Sequence, residues 1–334
     1  MRICIYGLGA VGGYIGARLG AAGEQVCAVA RGHTLEAVAR DGLKLVEAAT
    51  PGGGTGTIET TVALQVVADP ADLGPQDLVV LSVKTTGLAE AARRIGPLIG
   101  RDTVVLTAMN GVPWWFFHGL DDGLAAREWV SIDPGSTIAA AIPVERVLGC
   151  VVHLACAVTQ PGVVRHAGGR RLIVGEPAGG DSARVRSVTA SLANAGFETV
   201  ISPRIQQDVW FKLWGNMTMN PVSALTGATC DRILDDALVR GFVSAVMREA
   251  AAIGERIGLP IAESPEQRHE VTRRLGAFKT SMLQDVEAGK PVELDALVAI
   301  VAEIGRALGL STPNIDALFG LARLHARTRG LYPD

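Results

Sequence analysis

The tightest constraint on the fold lies at the start of the chain. Arg2-Ile3-Cys4-Ile5-Tyr6 is a short apolar run of the kind that forms a strand buried on both faces. Gly7-Leu8-Gly9-Ala10-Val11-Gly12 follows at once, and a helical pattern then runs through Ile15, Leu19 and Ala22 to Gly23. A second strand, Gln25-Val26-Cys27-Ala28-Val29-Ala30, completes a βαβ unit. A GxGxxG pattern alone carries little weight; between a strand and a helix it has the context of a dinucleotide-binding turn. Its glycines permit the tight turn and let backbone approach a pyrophosphate, whose charge meets the free N–H groups of the helix N-terminus. Gly7, Leu8, Gly9, Ala10, Val11 and Gly12 are therefore expected to hold a dinucleotide. The plainer alternative is a glycine-rich turn with no ligand.

The residue that ends the second strand selects the dinucleotide. NAD-binding chains usually place Asp or Glu there to accept hydrogen bonds from the ribose hydroxyls. This chain has Arg31, followed by Gly32 and His33. A guanidinium can grip a 2′-phosphate bidentately, so the expected cofactor is NADPH. His33 reads as a solvated residue opening the next helix.

Size and composition allow such a site a full enzyme around it. At 334 residues the chain can bury a large core and form two domains. Aromatics make up only 4% of a chain rich in Ala, Gly, Val and Leu, which suits helices packed closely on a sheet. The net charge of −3, with both signs interspersed, points away from nucleic acid and from a polybasic membrane surface. No apolar stretch is long enough to span a membrane, and Gly7, Gly9 and Gly12 interrupt any signal-peptide core. Cys4, Cys27, Cys150, Cys156 and Cys230 show neither CxxC nor Cys/His metal spacing. They read as reduced thiols of a cytoplasmic protein without a metal site.

Between 42 and 69 short β runs surround a Pro51-Gly52-Gly53-Gly54 turn, as in an excursion on a sheet edge. The parallel sheet resumes at Asp77-Leu78-Val79-Val80-Leu81-Ser82-Val83-Lys84 and continues at Thr103-Val104-Val105-Leu106-Thr107, which leads to Asn110. Lys84 and Asn110 thus follow strand C-termini, the rim where open α/β sheets bind ligands; the alternative for each is a polar loop residue. The aromatic run Trp114-Trp115-Phe116-Phe117 reads as a hydrophobic plug or as a wall of the substrate pocket. Further strands are expected at 147–158, 163–166, 171–175 and 197–201, with a helix over 182–194 and antiparallel turns at Gln160-Pro161-Gly162 and Gly168-Gly169. Ser202-Pro203 marks the expected boundary between domains 1–202 and 203–334.

After that boundary the β runs stop. Helical patterns cover 206–225, 236–258, 266–275, 281–287, 293–308 and 313–327. The expected fold class is therefore α/β, with an N-terminal Rossmann-type dinucleotide-binding domain followed by an all-helical C-terminal domain. On the first of these helices Lys212, Asn216 and Asn220 recur at four-residue intervals and share one face, among Trp, Leu and Met. A charge on an otherwise apolar face costs several kcal/mol if buried unpaired, unless the lysine snorkels to water, so a chemical purpose is a reasonable expectation. Ser281 opens a capping box with Gln284, and its helix N-terminus also suits a substrate carboxylate. Glu293 and Asp295 open the next helix, where carboxylates complement the dipole.

Together these pieces resemble the ketopantoate reductase (2-dehydropantoate 2-reductase) family. The resemblance rests on Gly7-x-Gly9-x-x-Gly12 with Arg31, Val83-Lys84, Asn110-Gly111, Lys212-x-x-x-Asn216-x-x-x-Asn220-Pro221, Ser281-Met282-x-x-Asp285 and Glu293-x-Asp295. It implies NADPH-dependent reduction of a 2-oxo acid to a 2-hydroxy acid, with Lys212 as general acid and Glu293 paired with the lysine and the new hydroxyl. It also implies that Asn216 and Asn220 line the substrate pocket and that Ser281 and Asn110 hold the substrate carboxylate or the nicotinamide end. An ammonium near the ketone oxygen suits this chemistry, because hydride addition leaves negative charge there. Where well-studied members have further asparagines near the pantoate end, this chain has Cys230 and Phe278, which leaves a bulkier or more apolar 2-oxo acid open. The competing readings are a β-hydroxyacid-type dehydrogenase, against which Asn110-Gly111 and Ser281-Met282 speak, and a non-catalytic NADPH-binding sensor. The apolar helices are compatible with a homodimer.

Overall fold

The computed structural model describes residues 1–49, 56–120 and 122–333. The expected Pro51–Gly54 turn, at 51–54, lies outside them. Two compact units emerge: Met1–Met109 with Thr137–Ile205, and Asn110–Ser136 with Gln206–Asp334.

The first unit is built on one sheet. Its strands are β1 (Arg2–Tyr6), β2 (Gln25–Val29), β3 (Leu43–Ala48), β4 (Thr57–Val62), β5 (Gln65–Val67), β6 (Gln76–Leu81), β7 (Ile99–Ala108), β8 (Val147–Gln160), β9 (Val163–Gly175) and β10 (Glu198–Ile201). They run in the order β4-β3-β9-β8-β7-β6-β1-β2-β5, with β10 also paired to β9. From β5 through β2, β1, β6 and β7 to β8 every pairing is parallel. The chain then doubles back from β8 into an antiparallel β9. The expected runs at 163–166 and 171–175 are one strand with an irregular register. Gly169 makes that possible: at φ 72° it lies where a Cβ would come within 2.4 Å of the His153 carbonyl oxygen. The expected edge excursion divides between two margins, β3 and β4 at one and β5 at the other.

Helices α1 (Ala10–Ala21), α2 (Gly32–Asp41), α3 (Leu88–Arg94) and α4 (Ala183–Asn194) belong to this unit. Tyr14, Ile15 and Leu19 of α1 and Val185, Val188 and Leu192 of α4 share a core with Ile3, Ile5, Leu78, Val80 and Leu106 of the central strands. The β1–α1 turn is the tightest point. Gly7 has φ +102°, and a Cβ on Gly12 would lie 2.1 Å from both the Gly7 carbonyl oxygen and Ser82 Oγ. Ser82 Oγ itself donates to that carbonyl at 2.9 Å.

The second unit is helical: α5 (Ile205–Thr226), α6 (Cys230–Asp235), α7 (Ala237–Arg256), α8 (Pro265–Arg273), α9 (Ser281–Glu287), α10 (Ile300–Ala307) and α11 (Pro313–Arg327). α6 was not expected. Trp210 and Trp214 of α5 are fully buried, and Trp214 Nε1 donates to the Met247 carbonyl at 2.7 Å. The segment 110–136 packs with these helices, so the single cut at 202 does not describe the units. The cause is its aromatic content. Phe116 lies 6.0 Å from Trp210 between ring centroids, and Gln206 Nε2 donates to the His118 carbonyl at 2.6 Å; within the segment Phe117 stacks on Trp129 at 4.1 Å. Trp114, Trp115, Phe116 and Phe117 are all buried, as a hydrophobic plug requires. Among the described residues no helix is long and apolar enough to cross a membrane.

Two glycine substitutions separate packing from ligand binding. Gly12→Ala forces a Cβ against backbone and is expected to cost about 1–3 kcal/mol of stability in chemical denaturation. Gly9→Ala meets nothing within 4 Å and is expected to leave the unfolding midpoint in place while weakening nucleotide binding in a fluorescence titration.

Candidate active site

In the sheet unit, strand order reverses about β1, with β2 on one side and β6 on the other. Such a reversal leaves a crevice at the strand C-termini. Tyr6, Gly7 and Leu8 line it from β1, Val29, Ala30 and Arg31 from β2, and Val83 from beyond β6; Glu90, Ala91 and Arg94 close it from α3. Gly9 precedes α1 without a side-chain cap, and the first turn, which contains Ala10, Val11 and Gly12, has no acidic residue. Its N–H groups are therefore suited to an anion. The three glycines differ in what demands them. Gly7 and Gly12 are required by the protein's own backbone, whereas a Cβ at Gly9 would point into open space. That open space leaves room for close approach of a ligand, and on that observation the turn fits a dinucleotide.

Lys84 follows β6, half-buried, at the start of the turn Thr85–Gly87. Arg31 is exposed at the end of β2, and its Nη1 bonds both Glu90 oxygens, at 2.8 and 2.7 Å. The Arg31 guanidinium holds the Glu90 carboxyl below the usual carboxylate range. No motif in the sequence marks Glu90, which stands 59 residues from Arg31 on a helix surface. His33 is exposed at the start of α2, as expected, with Nδ1 3.3 Å from Glu36 Oε2.

In the helical unit, α5 carries Lys212, Asn216 and Asn220 one turn apart; the first two are half-buried and Asn220 is buried. Pro221 sits inside α5 and contributes no N–H to the ladder, yet the helix continues to Thr226. Lys212 Nζ donates to Asn110 Oδ1 at 2.8 Å. Two residues 102 positions apart in the chain are thus brought together. Asn110 groups with this helical unit.

What holds Asn110 in place is a widened turn. Residues Asp295–Ala299, directly after Glu293 and Leu294, form a π-helix, a feature often found at functional sites. The Ala296 carbonyl accepts from Val112 N at 2.8 Å. Gly111, at φ +82°, lets the backbones meet: a Cβ there would lie 2.6 Å from the Ala296 oxygen. Val292 N donates to the Leu331 carbonyl at 3.1 Å, and Tyr332 Oη donates to Asp295 Oδ1. The stretch carrying Glu293, itself half-buried, is therefore clasped by the C-terminal segment.

The expected capping box needs correction. Thr280 is the N-cap of α9, accepting from Leu283 N at 3.2 Å, and Gln284 Nε2 donates to the Lys279 carbonyl. Ser281 is the first helical residue and is exposed, its hydroxyl released from capping. Cys230 and Phe278 are neighbours: the Cys230 amide donates to the Phe278 carbonyl at 3.0 Å. Burial pushes the Cys230 thiol up to about 11.

The family models described as ketopantoate reductase PanE/ApbA and ketopantoate reductase PanE/ApbA C terminal match residues 3–179 and 204–326. The chain belongs to the ketopantoate reductase family. It is 41% identical, over 99% of its length and 100% of the relative's, to the 2-dehydropantoate 2-reductase of Mesorhizobium japonicum. It is 32% identical to that of Halobacterium salinarum, over 98% and 99% of the two chains. A crystal structure from Ralstonia solanacearum MolK2, assigned as a ketopantoate reductase, superposes with a TM-score of 0.92 at 57% identity and 99% coverage of both chains. The two matched regions of this ketopantoate reductase family member divide near Pro203, and the fold is the α/β sheet domain with a helical C-terminal domain.

The clasp around Glu293 has a pH signature. Burial raises the Asp295 carboxyl above its ordinary value, against the opposing bond from Tyr332. The folded state then holds this proton more tightly than the unfolded chain does. The associated stability is full below the unfolded value of about 4 and is lost as pH rises through the folded one. Asp295→Asn keeps an acceptor for Tyr332 and is expected to flatten the dependence in that window, measured by urea unfolding between acid and neutral pH, leaving the variant at least as stable as wild type at neutrality.

Proposed function

We propose that this protein reduces a 2-oxo acid, with ketopantoate as the substrate, to the 2-hydroxy acid using NADPH. The observation that carries the reading is the 2.8 Å bond from Lys212 Nζ to Asn110 Oδ1, in a chain that matches the family across 3–179 and 204–326. The sheet unit acts as the NADP-binding domain and the helical unit as the substrate domain. Gly7, Leu8, Gly9, Ala10, Val11 and Gly12 cradle the pyrophosphate, Arg31 takes the 2′-phosphate, and Lys84 lies at the same strand rim. NADPH, when bound, supplies the hydride.

The helical unit supplies polarisation and the proton. Asn110 accepts from the Lys212 ammonium and so holds it in one orientation. The ammonium polarises the ketone, stabilises charge developing on oxygen and donates the proton that completes the alcohol. Glu293 is assigned to pair with the lysine and the new hydroxyl, Asn216 and Asn220 to line the pocket, and Ser281 to hold the substrate carboxylate with its free hydroxyl. Because Trp114–Phe117, at 114–117, is core, it gives no support to a bulkier substrate. Cysteines left as thiols, such as Cys156 and Cys230, suit a cytoplasmic enzyme, and exposed Leu238, Leu321 and Leu324 suit a homodimer.

The test is NADPH oxidation with ketopantoate. Lys212→Ala is expected to lower kcat about 10²–10⁴-fold while leaving the NADPH Kd unchanged. A wild-type protein that binds NADPH but turns over no ketopantoate would refute this substrate and direct the assay to other 2-oxo acids.

A further inference from the structure

Arg31, the residue that selects NADPH, does not face the nucleotide crevice alone. Its Nη1 is held by both oxygens of Glu90, and both residues line the same crevice. Glu90 stands in the first turn of α3, and Arg94 one turn on lies 4.0 Å from its Oε1. Arg94 is anchored separately, donating from Nη2 to the Ala68 carbonyl at 3.2 Å with Asp69 Oδ2 at 3.5 Å.

We propose that Glu90 is a specificity-determining residue that narrows the preference of this pocket for NADPH over NADH. The inference rests on the NADPH reading above. A 2′-phosphate brings about −1.5 to −2 charges and needs the guanidinium donors that Glu90 occupies. It also meets the carboxylate itself, so binding requires Glu90 to leave Arg31, and Arg94 is the cation in reach to receive it. A ribose 2′-hydroxyl poses the opposite problem. It is a donor, and a carboxylate in this crevice is the group that NAD-binding proteins use to accept from it. The pocket thus holds one recognition element for each cofactor: a guanidinium from the end of β2 and a carboxylate from α3. Each is held by the other until a nucleotide arrives.

The test is the pair of dissociation constants for NADPH and NADH, from nucleotide fluorescence, on the full chain as wild type, Glu90→Gln and Arg31→Gln. Glu90 is exposed enough for the isosteric change to leave folding intact, and Glu90→Ala serves as a second variant. Glu90→Gln is expected to tighten NADPH and weaken NADH, each by about threefold, the scale of an exposed ion pair. The preference then moves about tenfold toward NADPH. Arg31→Gln is expected to weaken NADPH alone. Unchanged constants in both Glu90 variants, or weaker NADPH binding, with Arg31→Gln still selective against NADPH, would overturn the role of Glu90 and leave the cofactor reading standing. Arg31→Gln without effect on NADPH would overturn both.

Discussion

The sheet unit depends on a contact that admits no side chain. Where β1 turns into α1, the Gly12 Cα sits so close to the Gly7 carbonyl and Ser82 Oγ that a Cβ would lie 2.1 Å from each. That contact sets α1 against the sheet, and α1 in turn buries Tyr14, Ile15 and Leu19 against the central strands. The same closeness leaves the first N–H groups of α1 uncapped at the reversal of strand order. Packing accounts for Gly7 and Gly12, whereas nothing in the fold crowds Gly9, where a Cβ would meet no atom within 4 Å.

The helical unit solves a different problem. An ammonium half-buried on a tryptophan-rich helix needs a partner, and Asn110 provides one from far away in the chain. The partner is held by backbone rather than by side chains: Gly111 and Val112 lie against the Ala296 carbonyl within the π-helical turn that follows Glu293. The local irregularity therefore fixes the asparagine that orients the lysine. The Leu331 carbonyl and the Tyr332 hydroxyl brace the same stretch from the C-terminal end.

Much of this was legible in the chain. The βαβ start, the strands after Asp77 and the helices beyond Pro203 declare themselves through period and punctuation, because each is a local pattern. Lys212, Asn216 and Asn220 declare a shared face for the same reason. Other features left no such trace. Thr280 rather than Ser281 caps α9, since adjacent hydroxyl residues offer equal caps and one residue of frame decides between them. The strands expected at 163–166 and 171–175 are one, since Gly168-Gly169 signals a turn as readily as an irregular register. The aromatic run at 114–117 was readable as a plug, but which unit it plugs was not, because that depends on Trp210, nearly a hundred positions on.

By itself, the sequence determined the α/β start, the helical second half, the glycine-rich turn between β1 and α1 and the polar face of α5, all of which follow from short-range sterics and periodicity. Tertiary structure alone decided that Asn110 meets Lys212, that 110–136 packs with the helices, that Glu90 holds Arg31 and that Tyr332 braces Asp295. Each of these joins residues separated by tens to more than a hundred positions, and no local preference encodes such a distance. They arise when aromatics are buried and polar or charged groups find partners, which only the folded chain supplies.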